Sequence, residues 1–289
     1  MSNSIATFKK YIDKLDEVYK YAALTGDLES DSLLASWNEK TKEFEVPTLS
    51  MNGLADYSRN SGYVDGDVTL TVAGHAPNFD RGRKFSIDAM DNEETAGVAF
   101  GQLSAQFIRT KVVPELDAFR FATYAGKAGT SKSEDLSAGA DVIAALRTAV
   151  TQMNEDEVPY ENRILYITPT LRGLVQDLDT TKSREVFDSF SKIVEVPQTR
   201  FYTAIDQYDG TTSGETAGGY VKDSSAVNIN FLVIQKDAVM QYTKHTVSKV
   251  ITPEENQSAD AWAFPYRNYG LCDVYGNKTA GIYLSKATA

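Results

Sequence analysis

At 289 residues, 42% of them hydrophobic, the chain is long enough to bury a real core as one large domain or two smaller ones. Its formal net charge of -11 excludes a free nucleic-acid-binding surface, which needs clustered Lys and Arg to displace phosphate counterions, and no apolar run is long enough to cross a membrane as a helix. Cys272 is the only cysteine, so no intramolecular disulfide can form, and without spaced His or Asp partners it reads as a small packed hydrophobe of an intracellular protein.

The first predicted element places Ile5, Phe8, Ile12, Leu15, Tyr19 and Ala22 on one face at three-and-four spacing, an amphipathic helix ending near Gly26. Lys9, Lys10, Asp13, Lys14, Asp16 and Glu17 interrupt the apolar core that a signal peptide needs, and their mixed sign is unlike a helix drawn to anionic lipid. One apolar stripe does not say whether this helix packs on its own domain or on another subunit.

Between residues 44 and 87 the β-prone runs Glu43-Phe44-Glu45-Val46 and Val68-Thr69-Leu70-Thr71-Val72 sit around the turn-rich Asn52-Gly53, Asn60-Ser61-Gly62 and Asp65-Gly66-Asp67, which predicts a long two-stranded excursion. Few large apolar residues between Asp56 and Asp67 could fill a core, so such a hairpin is poorly stable alone and gains by lying across another molecule. The alternative is an ordinary surface hairpin.

Asp91 is placed as a helix N-cap with Glu94 three residues later, a carboxylate variant of the capping box that also suits the positive helix end. Ala96, Ala99, Phe100, Leu103, Phe107 and Val113 then recur at helical spacing, while Gly97 and Gly101 leave a shallow strip for another backbone. Pro114 cannot donate to the carbonyl four residues back, which predicts a kink or restart near Thr110 before the helix resumes through Leu116, Phe119 and Tyr124 to Gly126.

A second compact region follows. Ser137 is placed to cap a helix carrying Val142, Ile143, Leu146, Ala149, Val150 and Met153; Ile164-Leu165-Tyr166-Ile167 reads as a buried strand and Thr168-Pro169 as the start of another helix. Residues 193–196, 201–205 and 231–234 add strands, 206–225 is a Gly, Ser and Thr-rich stretch that reads as a mobile loop, and residues 247–251, 271–275 and 279–284 are again strand-like. The fold class is therefore α+β.

An extended arm, a hairpin ending at Asp80-Arg81-Gly82, a long helix through Val113-Pro114-Glu115-Leu116-Asp117, a mixed lobe with Ile164-Leu165-Tyr166-Ile167-Thr168-Pro169, and the closing Arg267-Asn268-Tyr269-Gly270 and Lys278-Thr279-Ala280-Gly281-Ile282-Tyr283 together resemble the major capsid proteins of tailed bacteriophages. Each piece is weak alone; their order over some two hundred residues carries the resemblance.

The resemblance implies a Hong Kong 97-like capsid fold: an N-terminal arm (1–42), an extended β-hairpin loop (43–87), a peripheral domain with a long spine helix (88–129), an axial α/β domain (130–243) and return strands (244–289). It implies pentamers and hexamers closing into an icosahedral shell around double-stranded DNA, without sequence-specific binding and without a membrane, in a virion assembled in the host cytoplasm. An acidic lining that does not trap packaged DNA fits that role as well as plain solubility does. Tyr57, Arg59, Tyr63 and Arg81 are then the candidate intersubunit contacts, because Arg and Tyr bury large area while keeping hydrogen-bonding tips, and Asp91, Glu94 and Pro114 are the cap and kink of the spine helix.

Two departures qualify the implied family traits. No lysine lies between Lys42 and Lys84, so the isopeptide cross-link some members form from the loop is not expected. Only residues 1–42 precede the hairpin, so a separate scaffolding protein, with a portal protein as further partner and an uncleaved N-terminus, is expected.

Other chemistries fit poorly. Neither His75 nor His245 sits in metal-ligand spacing, Gly126-Lys127-Ala128-Gly129-Thr130-Ser131-Lys132-Ser133 has Ser131 where a phosphate-binding loop requires Gly, and a calcium loop registered on Gly210 would put Ile205 and Thr216 at carboxylate positions. No catalytic residue, cofactor or metal is therefore predicted. An encapsulin-like nanocompartment shell, which shares the fold, is the main alternative, and an uncharacterised hydrolase is the third.

Overall fold

The computed structural model describes residues 23–30, 36–90, 106–178 and 185–288. The helix read over residues 5–22 and the cap Asp91–Glu94, with Ala96, Gly97, Ala99, Phe100, Gly101 and Leu103, lie outside them.

In chain order, β1 (Ser36–Asn38), β2 (Glu43–Met51) and β3 (Val68–His75) form an antiparallel sheet whose outer part is the β2–β3 ribbon alone. β4 (Phe79–Asp88) leaves that ribbon for another sheet, so the hairpin pairing closes at Phe44 and His75 and not at residues 80–82. After a π-helical turn (Ile108–Val112) come α1 (Val113–Gly126), β5 (Thr130–Ser133), α2 (Gly139–Glu155), β6 (Arg163–Ile167), α3 (Pro169–Gln176) and β7 (Lys192–Glu195). β8 (Ile205–Gln207) and β9 (Tyr220–Lys222) pair with each other, and β10 (Ile229–Gln235), β11 (Val239–Ser248), β12 (Ala261–Val274) and β13 (Ile282–Lys286) complete the chain.

The five-stranded sheet runs β5-β13-β10-β6-β7, with antiparallel β6, β10 and β13 at its centre and a parallel strand on each edge. Side chains alternate across a strand, so Leu165 and Ile167 of β6 meet Val142, Leu146 and Met153 of α2 on one face, while Ile164 and Tyr166 meet Phe121 and Tyr124 of α1 on the other. That two-sided burial explains an apolar run with no polar alternation. α2 begins at Gly139 with the extended Ala138 as its cap, so Ser137 does not cap it. The start is set by packing: a Cβ on Gly139 would lie 2.1 Å from the Leu174 carbonyl oxygen of α3.

The second sheet, β11-β12-β4, packs against the front of the helix, where Ile108, Val112 and Val113 meet Phe264 and Tyr266 beside Phe85 and Phe107. One helical column therefore spans two cores, the front on this sheet and α1 on the five-stranded one. The 206–225 stretch is also more than a loop, since its ends form β8 and β9 and its middle is held by side chains of β4. Residues 201–204 stay outside regular strands, the strand beginning only at Ile205.

Candidate intersubunit surface

The ribbon is amphipathic. Opposed residues of an antiparallel pair share a face, so Pro47 and Val72, Leu49 and Leu70, and Met51 and Val68 make one apolar face, with Thr48, Thr71, Ser50 and Thr69 on the other. Leu49, Met51, Val68, Leu70 and Val72 are 54%, 62%, 68%, 64% and 57% exposed, so no described part of the chain covers that face. Burying each such side chain elsewhere is worth on the order of 1.5–3 kcal/mol. Nine residues of β2 at strand rise carry the tip about 30 Å from the base.

The base is anchored firmly. Phe44 and Val46 are buried with Met240, Tyr242 and Leu271, and Phe44 stacks on Tyr242 at 5.2 Å while meeting the edge of Trp37 at 5.0 Å. Beside it His75 Nδ1 lies 3.1 Å from Asp273 Oδ2, and Lys127 pairs with the same carboxylate. Burial alone would raise Asp273; Lys127, the Val274 N–H and His75 outweigh it and hold the carboxyl below its ordinary value.

At the tip, Ser58 and Gly62 bridge around a turn in which the Asn60 and Ser61 N–H groups each donate to Ser58 Oγ at 3.3 Å. Gly62 has φ +80, a conformation that an L side chain rarely adopts. The Tyr57 and Tyr63 rings pack at 4.9 Å, both exposed, and Arg59 sits in the turn between them. The structure thus brings Tyr57, Arg59 and Tyr63 together and places Arg81 elsewhere.

Arg81 joins three elements of its own chain. Its Nε donates to Glu115 Oε1 of α1 at 2.7 Å, and its Nη2 donates to the carbonyl oxygens of Tyr208 at 2.7 Å and Gly219 at 3.3 Å. Gln207 Nε2 also donates to Glu115 Oε1, at 3.3 Å. Two residues on, on the same face of β4, Arg83 donates to the carbonyl oxygens of Ala217 at 2.9 Å and Thr216 at 3.1 Å. Gly218 has φ +66, a backbone conformation that favours glycine, and a Cβ there would lie 2.7 Å from Arg83 Nη1, which would have to shift.

Between β4, the front of the helix and the β8–β9 stretch lies a cleft of about 910 Å³ walled by Phe79, Phe107, Tyr202, Tyr208, Tyr220 and Tyr266. Sequence reasoning missed it. The available signal was the alternation of Arg81 and Arg83 on one strand face, which points two cations the same way.

Pro114 stands in the first turn of α1, directly after the π-helical turn in which the Val113 N–H reaches back to the Ile108 carbonyl. At the other end of β4, Asp88 Oδ1 accepts the Met90 N–H at 2.9 Å where a helical turn opens at residue 89, two residues before Asp91. Asp117 was also missed. Fully buried, it accepts from the Leu24 and Thr25 N–H groups at 3.2 and 3.3 Å, the Thr25 hydroxyl at 2.9 Å and Arg200 Nη1 at 3.3 Å. Burial pushes its carboxyl above the ordinary value against these donors and the nearby Arg120 charge. It clips residues 23–30 to α1 and to the segment after β7.

Among the described residues no group of three or more His, Cys, Asp and Glu is placed to hold a metal ion, and no helix is long and apolar enough to cross a membrane.

No family model and no curated protein matches the sequence. Solved structures do match. The mature capsid of bacteriophage PhiM1 aligns with a TM-score of 0.58 at 13% identity, covering 84% of this chain and 82% of that one. The capsid of Staphylococcus phage Andhra aligns at 0.51 and 10% identity over 85% and 81%. A virus-like particle from Pyrococcus furiosus aligns at 0.51 and 8% identity over 93% and 98%. The chain has the fold of tailed-phage major capsid proteins.

Proposed function

We propose that the chain is a major capsid protein that assembles as pentamers and hexamers into an icosahedral shell enclosing double-stranded DNA. The observation that carries this reading is the ribbon: a firmly anchored arm about 30 Å long with an apolar face that no described residue covers, on a fold shared with phage capsids. Exposed apolar faces of that size mark protein interaction sites, and identical copies supply a partner for each one. In this reading the extended loop expected over 43–87 is the ribbon up to residue 78, the β11-β12-β4 sheet with the front of the helix is the peripheral domain, and the five-stranded lobe surrounds the capsomer axes. Tyr57, Arg59 and Tyr63 serve as intersubunit contacts; Arg81 holds the loop's root to the helix and lobe of its own chain. A scaffolding protein and a portal protein are the further partners.

A second reading is a cellular nanocompartment shell that encloses an enzyme and no DNA; the match to a virus-like particle from Pyrococcus furiosus over 93% of this chain fits a shell of either kind. Electron microscopy of the purified chain, alone and with the scaffolding protein, tests both. Closed icosahedral particles that need scaffold support the viral shell, closed particles formed alone support the compartment, and a stable monomer under both conditions overturns the shell reading.

A further inference from the structure

We propose that Asn52-Gly53, at the outer end of the ribbon, is a self-modification site where the asparagine loses its side-chain amide and becomes a carboxylate. The sequence contains one Asn-Gly pair, and it directly follows Met51, the last residue of β2, where the ladder closes on Val68. Asparagine is chemically labile, and a following glycine leaves its own nitrogen unhindered because no Cβ stands beside it. Both residues are exposed, and a Cβ on Gly53 would meet nothing within 4 Å, so nothing packs against this peptide. The Gly53 N–H has no hydrogen-bond partner among the described residues. Asn60-Ser61 supplies the contrast: there the N–H of the following residue is taken up by Ser58 Oγ at 3.3 Å.

The step needs only water. The Gly53 nitrogen bonds to the Asn52 side-chain carbonyl carbon, the bond from that carbon to the amide nitrogen breaks, and ammonia leaves carrying the Gly53 proton. Water then adds to either carbonyl of the resulting succinimide and opens it to aspartate or isoaspartate. The position gives the conversion a consequence. Asn52 continues the register beyond Met51 and Val68, its N–H donating to the Asp67 carbonyl oxygen at 3.2 Å, so residues 52 and 67 oppose each other where the ribbon opens into its tip. A new carboxylate at position 52 therefore faces that of Asp67, and like charges directly opposed across two strands are destabilising. The tip beyond already carries Asp56 and Asp65 against Arg59 alone. Conversion thus loosens the end of the ribbon that presents Tyr57 and Tyr63, and chains that age before assembling lose competence; this last consequence rests on the shell reading.

The test incubates the full unassembled chain in mildly alkaline buffer and follows its peptides by mass spectrometry, separating asparagine, aspartate and isoaspartate forms. Aspartate and isoaspartate should accumulate at position 52 well before any change at Asn60. Gly53→Ala, which the open space at that position accommodates, should keep Asn52 largely intact over the same incubation. Conversion at Asn60 as fast as at Asn52, or an Asn52 that converts only after denaturation, overturns the site. For the consequence, Asn52→Asp should lower the assembled fraction roughly twofold to fivefold, and adding Asp67→Asn should restore it. Unchanged assembly of Asn52→Asp, or a loss that Asp67→Asn does not restore, overturns the like-charge consequence and leaves the shell reading standing. Failure of the unmodified chain to assemble overturns the shell reading and the loss of competence with it, while the conversion is still read directly on the free chain.

Discussion

Arg81 Nε lies 2.7 Å from Glu115 Oε1, tying the strand that leaves the hairpin to the first turn of α1, one residue past Pro114. The same guanidinium holds two carbonyls of the β8–β9 stretch, so a single side chain joins the second sheet, the helix and the larger lobe. Arg81→Ala leaves Glu115, whose side chain is 13% exposed, without its charged partner. We expect a loss of about 1–3 kcal/mol in chemical denaturation, not recovered by Arg81→Lys, which lacks the planar fork needed to reach three oxygens. Unchanged stability in the alanine variant would show the joint to be solvated.

Leu49 and Leu70 face each other on the uncovered side of the ribbon. Leu49→Lys with Leu70→Glu should leave the unassembled chain within about 0.5 kcal/mol of its original stability, because the opposite charges face each other across the ribbon and exposed positions tolerate change. Assembly should be lost. Light scattering alongside thermal denaturation separates the two effects, and normal assembly of the double variant would count against the ribbon as an interface.

Removing Asp117 strands Arg200 and releases the Leu24 and Thr25 N–H groups. Asp117→Ala should cost about 3–5 kcal/mol, the range for breaking a buried charged network. Amide exchange at Leu24 and Thr25 should accelerate more than exchange in β6, which a uniform destabilisation would not produce.

Asp273 is held below the ordinary carboxylate value mainly by Lys127 once its burial is offset. A depressed folded-state value means the group stabilises the fold above its unfolded value near pH 4 and loses that contribution as pH falls through the folded value. Lys127→Met should therefore lower stability above about pH 5 and flatten the acid limb, so that the difference from the original chain narrows as pH falls, read as Tm against pH between about 6 and 2. Since Lys127 is half exposed, the change should be small and should shrink in high salt.

Strands and helices with strong periodicity were legible in the sequence. Ile164-Leu165-Tyr166-Ile167, Val68 to Val72 and the helix from Val142 to Met153 lie where their residue patterns place them, because β-branched runs and three-and-four spacing act locally. Local capping was less legible: Ser137 was a plausible cap, yet close packing of Gly139 on α3 set the helix start at a position no propensity scale registers.

By itself, the sequence determined the types of the strongly periodic elements and the order that produced the resemblance to phage capsid proteins. Only the tertiary structure decided that Pro47, Leu49, Met51, Val68, Leu70 and Val72 form one face, since that depends on strand register. It also decided that Arg81, Glu115 and Gly219 meet, and that Asp117 closes over Thr25. The physical reason is that propensity and periodicity act over a few residues, whereas Arg81 and Gly219 are 138 positions apart and are brought together only by tertiary packing.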